Sequence, residues 1–145
     1  MEKFDFLSAY NLTDNDLMAA GITWDELDAI LKEYQKTEEL LRGIGKDFIN
    51  DYLYDIDKAG IHSYRYRTKE PGHLLEKIIR KRTENPDRFA GLDHTNYYKY
   101  ITDLIGIRVF FLYREDWIHF HRYITRTFEN NPDIYVEDRL ADFDN

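Results

Sequence analysis

The stretch Ile61-His-Ser-Tyr-Arg-Tyr-Arg-Thr-Lys-Glu-Pro-Gly-His-Leu-Leu-Glu-Lys-Ile-Ile-Arg-Lys81 decides the fold, because its spacing changes halfway along. Arg65, Arg67 and Lys69 recur every second residue, so on a strand all three project from one face. Pro71-Gly72 marks a turn. Beyond it His73, Lys77 and Arg80 or Lys81 recur at helical spacing and line up along one helix face. Leu74, Leu75, Ile78 and Ile79 form the apolar stripe opposite, which gives that helix a core to sit on. A strand and a helix that both aim cations at their junction make a polyphosphate site. A second anchor, Asp103-Leu-Ile-Gly-Ile-Arg108, leads into the apolar run Val109-Phe-Phe-Leu-Tyr113.

Upstream, the pattern is helical. Thr13 to Gly21 reads as a short helix with Thr13 as N-cap and Gly21 just past its end. Thr23-Trp-Asp-Glu26 is a capping box, with Ile22 and Leu27 placed as a hydrophobic staple. From Leu27 through Ile30, Leu31, Tyr34, Leu41, Ile44, Phe48, Tyr52 and Leu53 to Ile56, apolar residues recur at threes and fours, predicting a long amphipathic helical region. Gly43 and Gly45 are where a break is expected, or a close helix contact. Gly43-Ile-Gly45-Lys46 is not a phosphate loop: the Walker pattern needs Gly at position 40, where Leu stands, and Ser or Thr at 47, where Asp stands.

Downstream, residues 83–96 read as a polar connection and 96–102 as helical. Residues 107–113 form a candidate buried strand, being β-branched and aromatic with few polar interruptions. Asp103 and Arg108 are five apart, so either Asp103 sits in the turn before the strand or Gly106 makes a bulge. Residues 114–128 predict an amphipathic helix with Trp117, Phe120, Ile124 and Phe128 inward. His119 and His121 point to different sides of it and make no metal pair. Residues 130–133 read as a turn and 134–136 as a short strand. The expected fold class is α+β: an N-terminal helical region, 1–58, then a strand–helix–strand–helix–strand unit, 59–145, in one compact domain.

Composition narrows the function classes. Aromatics make up 16% of the 145 residues, which argues for a packed core and against disorder. The absence of cysteine excludes disulfides, thiolate catalysis and cysteine zinc sites. Apolar runs fall far short of the ~20 residues that span a bilayer, and residues 1–6 lack a signal-peptide layout. A cytoplasmic location, without membrane contact, is the expectation. The net charge of −8 opposes broad nucleic-acid binding. The charge is uneven, however. His62 to Arg88 holds eight Lys and Arg against four Asp and Glu, a balance of +4 that leaves −12 elsewhere. One basic segment in an acidic chain suits a small polyanion better than a duplex.

The two anchors together resemble the synthetase domain of RelA/SpoT-type alarmone synthetases, over roughly residues 40–140. The family pattern is an Arg-x-Lys-x-Pro strand end, a Lys eight residues after that first Lys, and an Asp-x-x-Gly-x-Arg strand. Arg67, Lys69, Pro71, Lys77, Asp103, Gly106 and Arg108 match it in order. The resemblance implies a GTP pyrophosphokinase-type domain with a nucleotidyltransferase-like mixed sheet, moving pyrophosphate from ATP to the 3′ hydroxyl of GTP or GDP to make (p)ppGpp in the stringent response. It implies Arg67 and Arg108 flanking the adenine, Lys69 and Lys77 on the phosphates, and Asp103 as the catalytic carboxylate that holds Mg²⁺. His73 stands where the family commonly has Ser, and could donate to a phosphate. Alarmone hydrolysis is not expected, since the hydrolase-type His-Asp metal motif is lacking.

The family's Gly-Tyr-x-Ser-x-His and Glu-x-Gln-x-Arg-Thr segments, which carry acceptor contacts and a second carboxylate, are not among these residues. The expectation is therefore a truncated synthetase that holds only the ATP side of the site. Alternatives are a tRNA 3′-end pyrophosphokinase of the same family, which the net charge opposes, and a non-catalytic domain binding nucleotide or a partner, including a homo-oligomer. The 145-residue chain by itself is expected to make no alarmone from ATP and GTP. Accumulation of radiolabelled (p)ppGpp with the purified chain would refute this.

Overall fold

The computed structural model describes residues 1–53 and 60–128. Seven α-helices and one two-stranded sheet occur among these residues, an α+β arrangement rich in helix. The turn expected at 130–133, the strand at 134–136 and Ile56 lie outside the described residues. The chain gathers into two compact units, each made from discontinuous segments. The first is Met1–Asp47 with Tyr66–Ile107, and the second is Phe48–Arg65 with Arg108–Asn145.

The first unit is built by capped helices. Helix α1, Lys3–Ala9, buries Phe6. Helix α2, Asp14–Ala20, starts at Thr13 and ends at Gly21, whose φ of 61° is the left-handed conformation that glycine adopts without strain. At this start the Asp16 carboxylate accepts from the Thr13 N–H and hydroxyl, each at 2.7 Å. Helix α3, Trp24–Phe48, begins with the expected capping box. Glu26 accepts from the Thr23 N–H at 2.8 Å, while the Thr23 hydroxyl accepts from the Glu26 N–H at 3.3 Å.

The expected break at Gly43 and Gly45 is absent: α3 runs through both. An interior glycine costs only about 1 kcal/mol against alanine, too little to stop so long a helix. Gly45 makes a close contact, but with strand residues and not with a helix: a β-carbon there would stand 3.0 Å from the Tyr66 ring and 3.4 Å from Ile105. The irregularity follows instead as a π-helical turn, Ile49–Leu53.

Strand β1, Ser63–Thr68, and helix α4, Pro71–Glu84, reproduce the strand–turn–helix of the opening stretch. Leu74, Leu75, Ile78 and Ile79 are at most 3% exposed and pack with Leu27, Ile30, Leu31 and Tyr34 of α3 in one core. The connection 83–96, expected to be polar, is partly core: α4 extends to Glu84 and α5, Pro86–Phe89, follows at once. Phe89 and Leu92 are buried there. Side-chain bonds fold the polar residues back on the backbone, such as Asp93 to the Thr95 N–H at 2.7 Å and Asn96 to the Gly91 carbonyl at 2.8 Å. Helix α6 is Tyr97–Tyr100.

Strand β2, Ile105–Phe110, pairs antiparallel with β1. The Lys69 N–H donates to the Leu104 carbonyl at 2.8 Å and the His62 N–H to the Phe110 carbonyl at 2.7 Å. The expected buried strand at 107–113 is thus corrected in place and environment. It starts two residues earlier and ends at Phe110, and none of its residues is buried. Leu112 and Tyr113 lie beyond it, 65% and 69% exposed. Among the described residues only β1 pairs with β2.

Helix α7, Asp116–Phe128, belongs to the second unit. Phe128 is its one buried residue among those described, stacked on Phe48 at 5.9 Å. Trp117, Phe120 and Ile124, expected inward, are half-buried.

Helix α4 meets α1 tightly. A β-carbon on Gly72 would overlap the Tyr10 ring, with ring carbons 2.7 and 2.8 Å away. Helix propensity alone would favour alanine there by about 1 kcal/mol. Overpacking costs about 1–3 kcal/mol, so Gly72→Ala should still be destabilising. In a Tyr10→Ala background that penalty should vanish. Urea unfolding of the four chains checks this, and an equal cost in both backgrounds would contradict the contact.

Candidate functional site

The end of β1 is held from two sides. The Lys69 N–H bonds to Leu104, and the Lys69 carbonyl accepts from the hydroxyl of fully buried Tyr34 on α3. One residue on, Glu70 caps α4. Its carboxylate accepts from the N–H groups of Gly72 at 3.1 Å and His73 at 2.9 Å, and from the Tyr10 hydroxyl at 2.7 Å. This has a chemical consequence. The N-terminus of α4, which could otherwise hold an anion, is already taken by a carboxylate of the chain itself. Any bound phosphate must therefore rest on side chains.

Those side chains converge from three segments. Lys69 Nζ lies 3.0 Å from Asp103 Oδ2, and Lys77 Nζ from the second turn of α4 lies 2.8 Å from the same oxygen. Asp103 stands in the turn before β2, the first of the two placements its spacing from Arg108 allowed. The lysine side chains are 16% and 23% exposed and Asp103 is 50% exposed, so this is a partly desolvated cluster at the floor of an open cleft. The cleft has a volume of about 290 Å³ and is lined further by Arg67, His73 and Arg80, with Glu70 and Glu76. Arg67 lies beside Gly106 of the neighbouring strand, where a β-carbon would sit 3.9 Å from its Cγ. Arg80 is tethered to Glu76 and Glu84 at 3.5 Å each.

The electrostatics follow from these contacts. Partial burial disfavours the charge on Asp103, but the hydrogen bonds from Lys77 and Lys69, with their charges, outweigh it. Its carboxyl is held below the ordinary aspartate value. Glu70 is likewise held low: burial opposes its charge, and the bonds from Tyr10, His73 and Gly72 overcome that. The Tyr10 hydroxyl is pushed up to about 12 by burial and by its bond to the Glu70 carboxylate.

Arg67, Lys69, His73, Lys77 and Asp103 line one cleft. Arg65 and Arg108 belong to the second unit, both exposed on their strands. On α7, His121 packs edge-on to Trp117 at 5.8 Å. Sequence reasoning missed Tyr10 and Glu70. Proline at the first helical position marks residue 70 as the cap, but nothing local ties Tyr10 to a residue sixty positions away.

For Mg²⁺, the donor set is one carboxylate. Among the described residues no three His, Cys, Asp or Glu side chains gather as a metal cage. A lone aspartate fits Mg²⁺ only in the mode where phosphate oxygens and water complete the octahedron. Both lysines contact Oδ2, so Oδ1 of Asp103 is the atom suited to that role. Comparison with protein-family models finds no match, and neither do comparisons with curated proteins and with solved structures.

Because the Asp103 carboxyl is held below its unfolded value, its pairing contributes stability that is complete above the ordinary aspartate range. That contribution is lost as pH falls through the lower folded value. Wild-type stability should therefore drop on acidification below that range by more than that of Asp103→Asn. Urea midpoints from neutral to strongly acid pH check this, and parallel pH profiles for the two chains would contradict it.

Proposed function

We propose that the cleft between the end of β1 and α4 binds the triphosphate of ATP, as the donor half of a RelA/SpoT-type pyrophosphokinase site. The reaction in this reading moves pyrophosphate from ATP to the 3′ hydroxyl of GTP or GDP. The two strands then form part of a nucleotidyltransferase-like mixed sheet. What supports the reading is the convergence of Lys69 and Lys77, from separate elements, on one point of a cleft that Arg67, His73 and Arg80 also line.

The residues divide the work by chemistry. Lys69 and Lys77 are point charges on flexible stems, suited to phosphate oxygens whose positions shift during transfer. Asp103 keeps the two ammonium groups together before nucleotide arrives, so little ordering remains to be done on binding. An incoming phosphate takes the place of Asp103 at the lysines, an exchange of one anion for a more highly charged one. Arg67, with its exposed planar guanidinium, stacks on the base. His73 donates to a phosphate from the first turn of α4. Asp103 is the residue that would hold Mg²⁺, which when bound supplies neutralising charge to the phosphates. This cleft is assigned the donor nucleotide alone; the acceptor site is not assigned to any residue here.

Calorimetric titration with a non-hydrolysable ATP analogue and Mg²⁺ tests the reading. Saturable one-to-one binding is expected, weakened at least tenfold, about 1.4 kcal/mol, in Lys77→Ala. Weakening is also expected in Arg67→Ala. A folded chain that takes up no analogue would overturn the proposal.

A further inference from the structure

The geometry points to a second anion site, on α7 in the other unit, that takes a small phosphorylated molecule on Arg122, Arg126 and His119. This inference does not rest on the function proposed for the first cleft.

His119, Arg122, Tyr123, Arg126 and Thr127 follow the offsets of a single helix face, and all five line one cavity of about 470 Å³. Arg122 and Arg126 are one turn apart, a like-charge pair that weakens a helix unless something neutralises it. Several helical cations elsewhere are neutralised by an acid of their own helix. Lys32 pairs with Asp28, Lys36 with Glu33, Arg42 with Glu38, and Arg80 with Glu76 and Glu84. Helix α7 has one acid, Asp116, in its first turn, and neither of its arginines is in an ion pair among the described residues. In a chain of net charge −8, this face holds two arginines and no carboxylate among the described residues. The helix dipole favours a cation in the last turn, which accounts for Arg126. It does not account for Arg122 in the middle of the helix.

The face is also held in place. The Tyr123 hydroxyl donates to the Tyr52 carbonyl at 2.7 Å, fixing the rotation of α7 against the π-helical turn. Gly60, at φ 66°, passes close beside His119, where a β-carbon would stand 3.4 Å from the histidine Cβ. Two guanidinium forks on such a face match the oxygens of a phosphate or pyrophosphate group bidentately. The ring N–H of His119 adds a further polar contact, whereas the Thr127 hydroxyl is already committed to the Tyr123 carbonyl at 2.7 Å. The acidic chain as a whole disfavours long nucleic acid, leaving a small phosphorylated ligand as the occupant.

Inorganic pyrophosphate is the probe, titrated by calorimetry into the chain carrying Lys69→Ala and Lys77→Ala, which silences the first cleft. Saturable binding is expected to persist in that chain. It should fall at least tenfold when Arg122→Gln and Arg126→Gln are added, with the far-ultraviolet circular dichroism unchanged. Arg122→Lys with Arg126→Lys retains charge without the fork, so binding should be weakened there too. If the glutamine chain fails to fold, this lysine chain decides. The inference is overturned by absence of saturable binding, by affinity indifferent to the α7 substitutions, or by a response to single-stranded RNA and none to pyrophosphate.

Discussion

Burial of one helix face holds the first unit in register. Leu74, Leu75, Ile78 and Ile79 lie under α3 and α2 with almost no exposed surface. At roughly 1.5–3 kcal/mol for each side chain fully removed from water, that stripe outweighs any single polar contact in the unit. Its consequence is geometric. With the apolar side of α4 fixed inward, His73, Lys77 and Arg80 are carried to the opposite side, where the end of β1 delivers Arg67 and Lys69. The cleft is a by-product of the core.

What the cleft does with its charges follows from a second constraint. Cations brought close together repel, and the chain resolves this with Asp103, one carboxylate oxygen serving two lysines. Glu70 does comparable work at the N-terminus of α4, satisfying the amides there and fastening α1 through Tyr10. The first arrangement opens to solvent through half-exposed Asp103, which makes it the more exchangeable of the two. The second is structural, with three donors on one carboxylate. That contrast separates the part of the site that can change partner from the part that cannot.

Legibility in the sequence followed the range of the interaction. The stripe of α4, the Thr23–Glu26 box and the Gly21 stop were all readable, because each is fixed within one or two helical turns. The lysine–aspartate cluster was readable only as a pairing of two motifs, Arg67 to Lys77 with Asp103 to Arg108. Long-range placement was less accessible. Phe89 and Leu92 enter the core from a segment dominated by polar residues, which no periodicity announces. The hydrophobic run after Ile107 suggested a buried strand, yet burial depends on what packs over it, and its last residues stand in solvent. Tyr10 reaches Glu70 through the docking of α1, a tertiary fact with no local signature.

The most direct test of the central claim is a crystal structure of the chain with a non-hydrolysable ATP analogue and Mg²⁺. The account predicts phosphate oxygens within hydrogen-bond distance of Lys69 and Lys77, with Asp103 displaced from at least one of them. Nucleotide bound elsewhere, with both lysines still on Asp103, would contradict it.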